Sequence, residues 1–329
     1  MHLMLAAAET LVLDALKRSG VEEGNARSVA RALVAAEAAG QSGHGLRRVE
    51  AYAAQAKSGK VNGVARPIAY QPYPSVIQID ACHGYAYPAL DLAVPMLIET
   101  ARAQGIAMAA IRRSHHAGVL ALTVERFAEA GLVAIMVANA TASMAAWGGR
   151  KPVFGTNPIA FAAPVIGQDP IVIDLALSRV ARGKIMAARQ KGVPIPADWA
   201  FDRDGQPTTD AVAALGGTMV PSGEAKGAAL AMMVEILAAP LTGANFSYES
   251  TSLFDGEGAA PGLGQMIIVI NPEAGGGAFA AARLTELANE ISSDPAVRLP
   301  GRRGLTARRA AIDNGIEVEH DVVDAILNV

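Results

Sequence analysis

Cys82 is the only cysteine in 329 residues, so no disulfide can close within the chain and a reducing, cytoplasmic setting is expected. Aromatic residues make up only 5%, which leaves Ala, Val, Leu and Ile to fill the core. No stretch approaches the ~18 uninterrupted apolar residues of a membrane span. The N-terminus is amphipathic, carries Glu9, Asp14 and Lys17, and lacks the basic start and apolar middle of a signal peptide. Basic residues, 28 Lys and Arg against 31 Asp and Glu, are scattered, which argues against nucleic acid or an anionic membrane as a partner. The exception is Arg302-Arg303 with Arg308-Arg309, a small cationic patch that could meet a phosphate or form a solvated helix end.

Familiar cofactor motifs are also missing. No Gly-x-Gly-x-x-Gly opens a helix after a strand; the groups at Gly148-Gly149, Gly216-Gly217 and Gly275-Gly276-Gly277 have the wrong spacing or context. There is no P-loop, because Gly223 to Lys226 is too short and Ala228 stands where Ser or Thr is needed. His-Glu-x-x-His and paired cysteine ligands are absent, and no metal is expected.

What is present is ample core material, 51% hydrophobic and 18% charged. Apolar spacing predicts helices over 5–19 and 22–39, each stopped by a glycine, and a third from the loop at His44 to about Lys57. The stretch 61–74 has no clear period and reads as a linker or an extended crossing segment. Strand and helix patterns then alternate, with strands at 76–80, 106–111, 132–137, 171–174 and 265–271. Helices are expected at 88–104, 119–130, 179–191 and 225–239, with mostly helical structure after Phe279. That alternation is the signature of an α/β chain. Met232-Met233 reads as core packing on an apolar helix. The long loops at 140–154 and 194–210 are of a length more often functional than incidental.

The chemistry-bearing residues sit in the loops. In Ser42-Gly43-His44-Gly45-Leu46-Arg47-Arg48 the histidine is flanked by glycines, so little bulk shields its ring. Arg48, four residues on, offers a planar fork suited to a carboxylate; if a helix begins after Gly45, the two lie about one turn apart. Ser114-His115-His116-Ala117-Gly118 links a strand to a helix start, where backbone amides favour anions and either histidine could be an acid or base. A metal shared by His115 and His116 would lack a third ligand nearby. Gly155-Thr156-Asn157-Pro158 is a turn, and Asp174 ends a strand, where α/β sheets commonly place ligand contacts.

Taken in order, SGHGLRR at 42–48, SHHAG at 114–118, GTNPIAFAAP at 155–164, IDLALSRVARGKI at 173–185, PTTD at 207–210 and PSGEAKGAALAMMVEILAAPLTG at 221–243 resemble the malate/L-lactate dehydrogenase family unrelated to the Rossmann-type enzymes of those names. That family also holds sulfolactate, ureidoglycolate and diketogulonate oxidoreductases and piperideine- and pyrroline-2-carboxylate reductases. The resemblance spans nearly the whole chain. It implies an α/β fold with a mixed, largely antiparallel sheet in a non-Rossmann NAD(P)-binding domain, plus a helical domain from both termini. Segments 1–70 and 291–329 would form the helical part and 71–290 the sheet domain, in a homodimer.

By resemblance, protonated His44 donates to the substrate oxygen, Arg48 binds the substrate carboxylate, Thr156 lies against the substrate, and His116 stands between substrate and nicotinamide as a second acid/base candidate. Cofactor contacts fall to His116, Asp174, Leu175, Ala176, Arg182, Gly183, Glu224, Gly301, Arg302 and Arg303. NAD and NADP both remain open. The imine reductases carry Ser before the histidine and Asp after the Arg-Gly pair; here these positions are Gly43 and Lys184, which favours the 2-hydroxy acid branch over imine reduction. Ser222-Gly223-Glu224-Ala225 replaces the two glycines and histidine that many members carry there.

Overall fold

The computed structural model describes residues 1–329. Glu22 starts the second helix, Glu23–Ala38, by accepting from the amides of Gly24 and Asn25, which satisfies donors that a helix start leaves unpaired. This helix packs on Leu5–Arg18 and on Ala86–Gln104. The long helix Ala86–Gln104 stops where Gly105 turns left-handed.

Seven strands form the main sheet, in the order Ile68–Tyr73, Val76–Asp80, Ile106–Ser114, Leu263–Ile270, Val133–Ala138, Ile159–Ala163, Ile171–Leu175. Only Val76–Asp80 and Ile106–Ser114 run parallel; every other neighbouring pair is antiparallel. The sheet is therefore mixed and largely antiparallel, as the family resemblance implies. Ala107, Ala109, Ala134, Ala160 and Ala162 are fully buried on it, so a chain poor in aromatics brings helices close with small side chains. One 51-residue core joins the N-terminal helices, the sheet and the C-terminal residues Ile316 to Ile326. At the chain ends, His2–Leu3 pairs antiparallel with Ile316–Glu317.

Several local expectations change. The stretch 61–74 contains an edge strand, Ile68–Tyr73, whose Pro72 is tolerated because edge strands leave some amides unpaired. The residues after the Gly155–Pro158 turn form the strand Ile159–Ala163, which a sequence lacking polar alternation does not announce. Both long loops contain short strands, Met144–Ala145 and Pro152–Phe154 in one and Ala200–Phe201 in the other, and with Thr218–Met219 these make a second, four-stranded sheet. Met232 and Met233 are not core residues: they are 51% and 41% exposed, beside exposed Leu230 and Ile236 on the helix Ala225–Ala238. A helix apolar all round is expected to be buried, but this one presents one apolar side to solvent.

Candidate active site

The Ser42–Arg48 run does not open directly into a helix. It forms two 3-10 turns, Ser42–His44 and Leu46–Arg48, before the helix Val49–Lys57. Gly45 makes the break possible because Glu37 comes up against it: the Glu37 carboxylate accepts from the Leu46 amide at 2.8 Å, and a Cβ at position 45 would strike Glu37. Gly43 is different, since a Cβ there would meet nothing. Burial raises the Glu37 carboxyl's pKa.

This geometry turns His44 toward His116. Their rings stack with centroids 5.1 Å apart, and His44 Nδ1 lies 3.2 Å from His116 Nε2. His116 Nδ1 in turn lies 2.7 Å from the Tyr52 hydroxyl. His115 faces away, its Nε2 2.7 Å from Gln55 Oε1 and its carbonyl accepting from Gln265 Nε2. The two adjacent histidines thus diverge, and no group of three or more His, Cys, Asp or Glu side chains converges anywhere in the chain.

Arg48 donates through Nε to the Gly43 carbonyl at 2.9 Å, which brings its fork back beside His44. Phe254 covers the guanidinium, 4.4 Å from Cζ to the ring centroid. Arg48 Nη1 is buried and makes no hydrogen bond within the protein. A buried cationic donor without an acceptor costs free energy that a bound anion recovers.

Burial, and then the charge of Arg48, hold the His44 pKa down to about 4; the same causes in the same order place His116 well below its usual range. His44 is therefore neutral near pH 7 in the free protein, whereas the sequence reading expects an imidazolium donor.

The remaining site residues gather at one end of the main sheet. Leu177 donates its amide to the Thr156 carbonyl at 2.8 Å and accepts from the Ser222 amide at 2.8 Å, which ties the 155–158 turn, the strand end at 174–176 and the loop before Glu224 together. Leu175 and Ala176 are exposed there, and Thr156 is half-buried. Glu224 is exposed with φ +58° at the start of the helix Ala225–Ala238. Asp174 accepts from the Ala121 amide at 2.9 Å, binding this group to the helix that follows His116; burial lifts its carboxyl to about 6. Pro300 and Gly301 lie against Val172 of the same strand.

Two arginines suit a dinucleotide phosphate. Arg182 opens the helix Arg182–Lys191, which has no side-chain cap, and burial lowers the pKa of its guanidinium. Arg303 is exposed in the first turn of Arg302–Asn314. Unpaired helix-start amides with a cation beside them form an anion cradle. By contrast Arg302 and Arg309 are held by Asp169, and Arg308 by Glu125, so most of the C-terminal cationic patch is already neutralised.

Sequence reasoning missed Tyr52, Tyr87, Phe254 and Lys60. Tyr52 could have been found, because it continues the four-residue spacing from His44 and Arg48. Phe254 gives no such signal, being 206 positions from Arg48.

Residues 4–327 match the family model described as malate/L-lactate dehydrogenase. The chain belongs to the malate/L-lactate dehydrogenase family. It is 46% identical over 322 residues to a (2R)-3-sulfolactate dehydrogenase (NADP(+)) of Chromohalobacter salexigens, covering 98% of this chain and 96% of the relative. It is 42% identical over 312 residues to a Delta(1)-pyrroline-2-carboxylate/Delta(1)-piperideine-2-carboxylate reductase of Pseudomonas syringae pv. tomato, with 93% and 91% covered. Among solved structures, a delta1-piperideine-2-carboxylate reductase from Pseudomonas syringae superposes with a TM-score of 0.94 at 39% identity, covering 100% of this chain and 99% of that one. The sulfolactate dehydrogenase from Methanocaldococcus jannaschii gives 0.89 at 30%, with 99% and 95% covered. As a member of this dehydrogenase family the chain is an NAD(P)-dependent oxidoreductase that moves a hydride between nicotinamide and C2 of a small carboxylate substrate. No helix is long and apolar enough to cross a membrane.

Proposed function

We propose that this chain is an NADP(H)-dependent 2-hydroxy acid dehydrogenase of malate, lactate or sulfolactate type. The observation that carries the reading is the buried, unpartnered Nη1 of Arg48 beside the stacked pair His44 and His116. Arg48 receives the carboxylate of a 2-oxo acid and so fixes the position of C2 and its carbonyl oxygen. His44, whose Nδ1 is turned to His116, presents Nε2 to that oxygen as the general acid, and as the base in the oxidative direction. Thr156 lies against the substrate. Phe254 excludes water from one side of Arg48 and strengthens the ion pair. The nicotinamide supplies or accepts the hydride at C2 when bound. Arg182, Gly183, Glu224, Gly301 and Arg303 hold its phosphates and ribose, Arg302 contributing its backbone while Asp169 keeps its side chain, with Asp174, Leu175, Ala176 and His116 toward the ring. The relative named for NADP(+) and the exposed Arg303 support the phosphorylated cofactor.

Gly43 and Lys184 support the hydroxy acid branch, because neither can relay a proton to His44 in the way the resemblance implies for imine reductases. The reductase relatives support cyclic imine reduction as the second reading. A homodimer is supported by the uncovered apolar side of Leu230, Met232, Met233 and Ile236, and cytoplasmic residence by the single free cysteine. The test is a reductase assay over pyruvate, oxaloacetate, sulfopyruvate and a cyclic imine 2-carboxylate, with NADPH and NADH in turn. A 2-oxo acid is expected to be reduced best, with NADPH. His44→Ala should lower kcat by about 10²–10⁴ while cofactor binding, followed by NADPH fluorescence, survives. Preference for the imine, or unchanged turnover in His44→Ala, overturns the assignment.

A further inference from the structure

His44 is neutral near pH 7, yet a reduction needs a proton delivered to the substrate oxygen with each turnover. A file of hydrogen-bonding atoms leads away from His44 on the side opposite its free Nε2. His44 Nδ1 is 3.2 Å from His116 Nε2. His116 Nδ1 is 2.7 Å from Tyr52 Oη, and Tyr52 Oη is 3.4 Å from Tyr87 Oη. Tyr87 is among the residues lining a separate cleft of about 310 Å³, together with Ser28, Asp91 and Arg126.

Tyr52 is fully buried and held on three sides. Its ring stacks on Tyr85 at 5.4 Å and meets the edge of His115 at 5.0 Å, and its carbonyl accepts from the Tyr85 hydroxyl at 2.8 Å. Gly118, with φ +65°, passes so close to the Tyr87 hydroxyl that any Cβ there would strike it. The loop carrying His116 is thus shaped around the far end of the file. Burial raises the pKa of both tyrosines, so each stays a neutral hydroxyl that can pass on one proton while receiving another.

We propose that His116, Tyr52 and Tyr87 form a proton relay that recharges His44 from the cleft beside Tyr87, so that His44 donates as a neutral imidazole. This rests on the acid role of His44 proposed above. In the reductive direction the His44 Nε2–H bond breaks as the substrate O–H bond forms. His44 Nδ1 takes the proton from His116 Nε2, His116 Nδ1 takes that of Tyr52, Tyr52 takes that of Tyr87, and Tyr87 takes the one net proton that the reduction consumes from a hydronium or buffer acid in the cleft. Each residue loses one proton and gains one, the histidines at opposite ring nitrogens, and no residue carries a charge at the end. Oxidation runs the file backwards. Every tautomer is dictated: His44 and His116 both start with hydrogen on Nε2 and both finish the proton shift on Nδ1, so a further reduction requires both rings to regain Nε2–H by rotation and proton exchange between turnovers.

The test has two arms. In ¹⁵N-labelled protein at pH 7 without substrate, His44 and His116 are expected as neutral imidazoles protonated on Nε2, and Tyr52→Phe should move His116 toward the Nδ1–H form. An imidazolium at His44, or no response of His116 to Tyr52→Phe, overturns the relay without reference to any substrate. In turnover of the best 2-oxo acid, Tyr52→Phe and Tyr87→Phe should each lower kcat roughly tenfold or more with KM little changed, since a positioned proton-transfer group is worth about 10²–10⁴ and bulk water replaces part of it. The solvent isotope effect on kcat, from several protons in the wild type, should fall to that of one. If both variants keep the wild-type rate and proton inventory while His44→Ala is inactive, the relay is wrong and the His44 assignment stands; if His44→Ala is active, both fall.

Discussion

Lys60 should control substrate affinity without touching substrate. Its ammonium is buried, the side chain 1% exposed, and it donates to the carbonyls of Ser252 at 2.7 Å, Glu257 at 2.6 Å and Asp255 at 3.2 Å. These three carbonyls belong to the loop that carries Phe254, whose ring covers the Arg48 guanidinium at 4.4 Å. Lys60→Met keeps most of the volume and removes the charge. Each hydrogen bond from a charged donor contributes about 1.5–3 kcal/mol, so loss of the two short ones costs about 3–6 kcal/mol. That is within a global stability of about 5–15 kcal/mol, so the loop should open before the protein unfolds. What reaches Arg48 is smaller: a cation–π contact of about 0.5–2 kcal/mol, or about 2–30-fold in KM for the 2-oxo acid at 1.4 kcal/mol per tenfold, with kcat less affected. Steady-state kinetics should show the rise, amide exchange should quicken over residues 249–258, and Phe254→Leu should reproduce the KM effect without the exchange effect. If Lys60→Met leaves both KM and exchange as in the wild type, the cage does not position Phe254.

Three further outcomes are expected. Arg48→Lys should raise KM at least tenfold with kcat falling less, because a point charge replaces the two-pronged fork; an unmoved KM places the carboxylate clamp elsewhere. Stability should fall as pH drops from 7 toward 4: His44 titrates at about 4 when folded against about 6.5 unfolded, so the unfolded chain binds the proton first and about 3 kcal/mol is lost across that window, with buried His115, held at about 3, adding to it. Asp174, raised to about 6, acts in the opposite sense, since the folded form binds its proton first. Tm should therefore decline on acidification, and decline more steeply in Asp174→Asn; a flat profile refutes the linkage. Leu230→Glu with Met233→Glu should leave the fold intact by circular dichroism and convert a dimer to a monomer by light scattering, and an unchanged mass excludes that helix side as the interface.

The sequence made the site more legible than the fold around it. His44, Arg48 and His116 stand in short motifs with distinctive neighbours, and the family resemblance, not residue spacing, implies that the 42–48 and 114–118 motifs share one site. Helices with glycine stops were equally plain, and Gly20, Gly40 and Gly105 end them. The strand Ile159–Ala163 was hidden because it is sheltered on both sides and alanine-rich, so it lacks the alternation that marks a half-exposed strand. Met232 and Met233 misled for a related reason: hydrophobicity on every side predicts burial but not whether the covering surface belongs to the same chain. Tyr52 and Phe254 join the site through a helical turn and a long-range loop contact, and only the first has a period to read.

Arg48 and the histidines explain each other's state. Burial alone disfavours a charged imidazole, and the Arg48 cation pushes in the same direction on His44, His115 and His116. One fixed charge in a dry site therefore keeps three bases neutral, and its own Nη1 is left without an acceptor. A carboxylate on Arg48 removes both penalties together: it supplies the missing acceptor and cancels the field that opposes protonation of His44. Substrate binding is thus coupled to acid/base readiness through Coulomb interaction, with no conformational change required. Burial, the larger cause of the low pKa, still keeps His44 and His116 neutral at rest, and the carboxylate eases the positive charge that builds on the pair while protons pass through it.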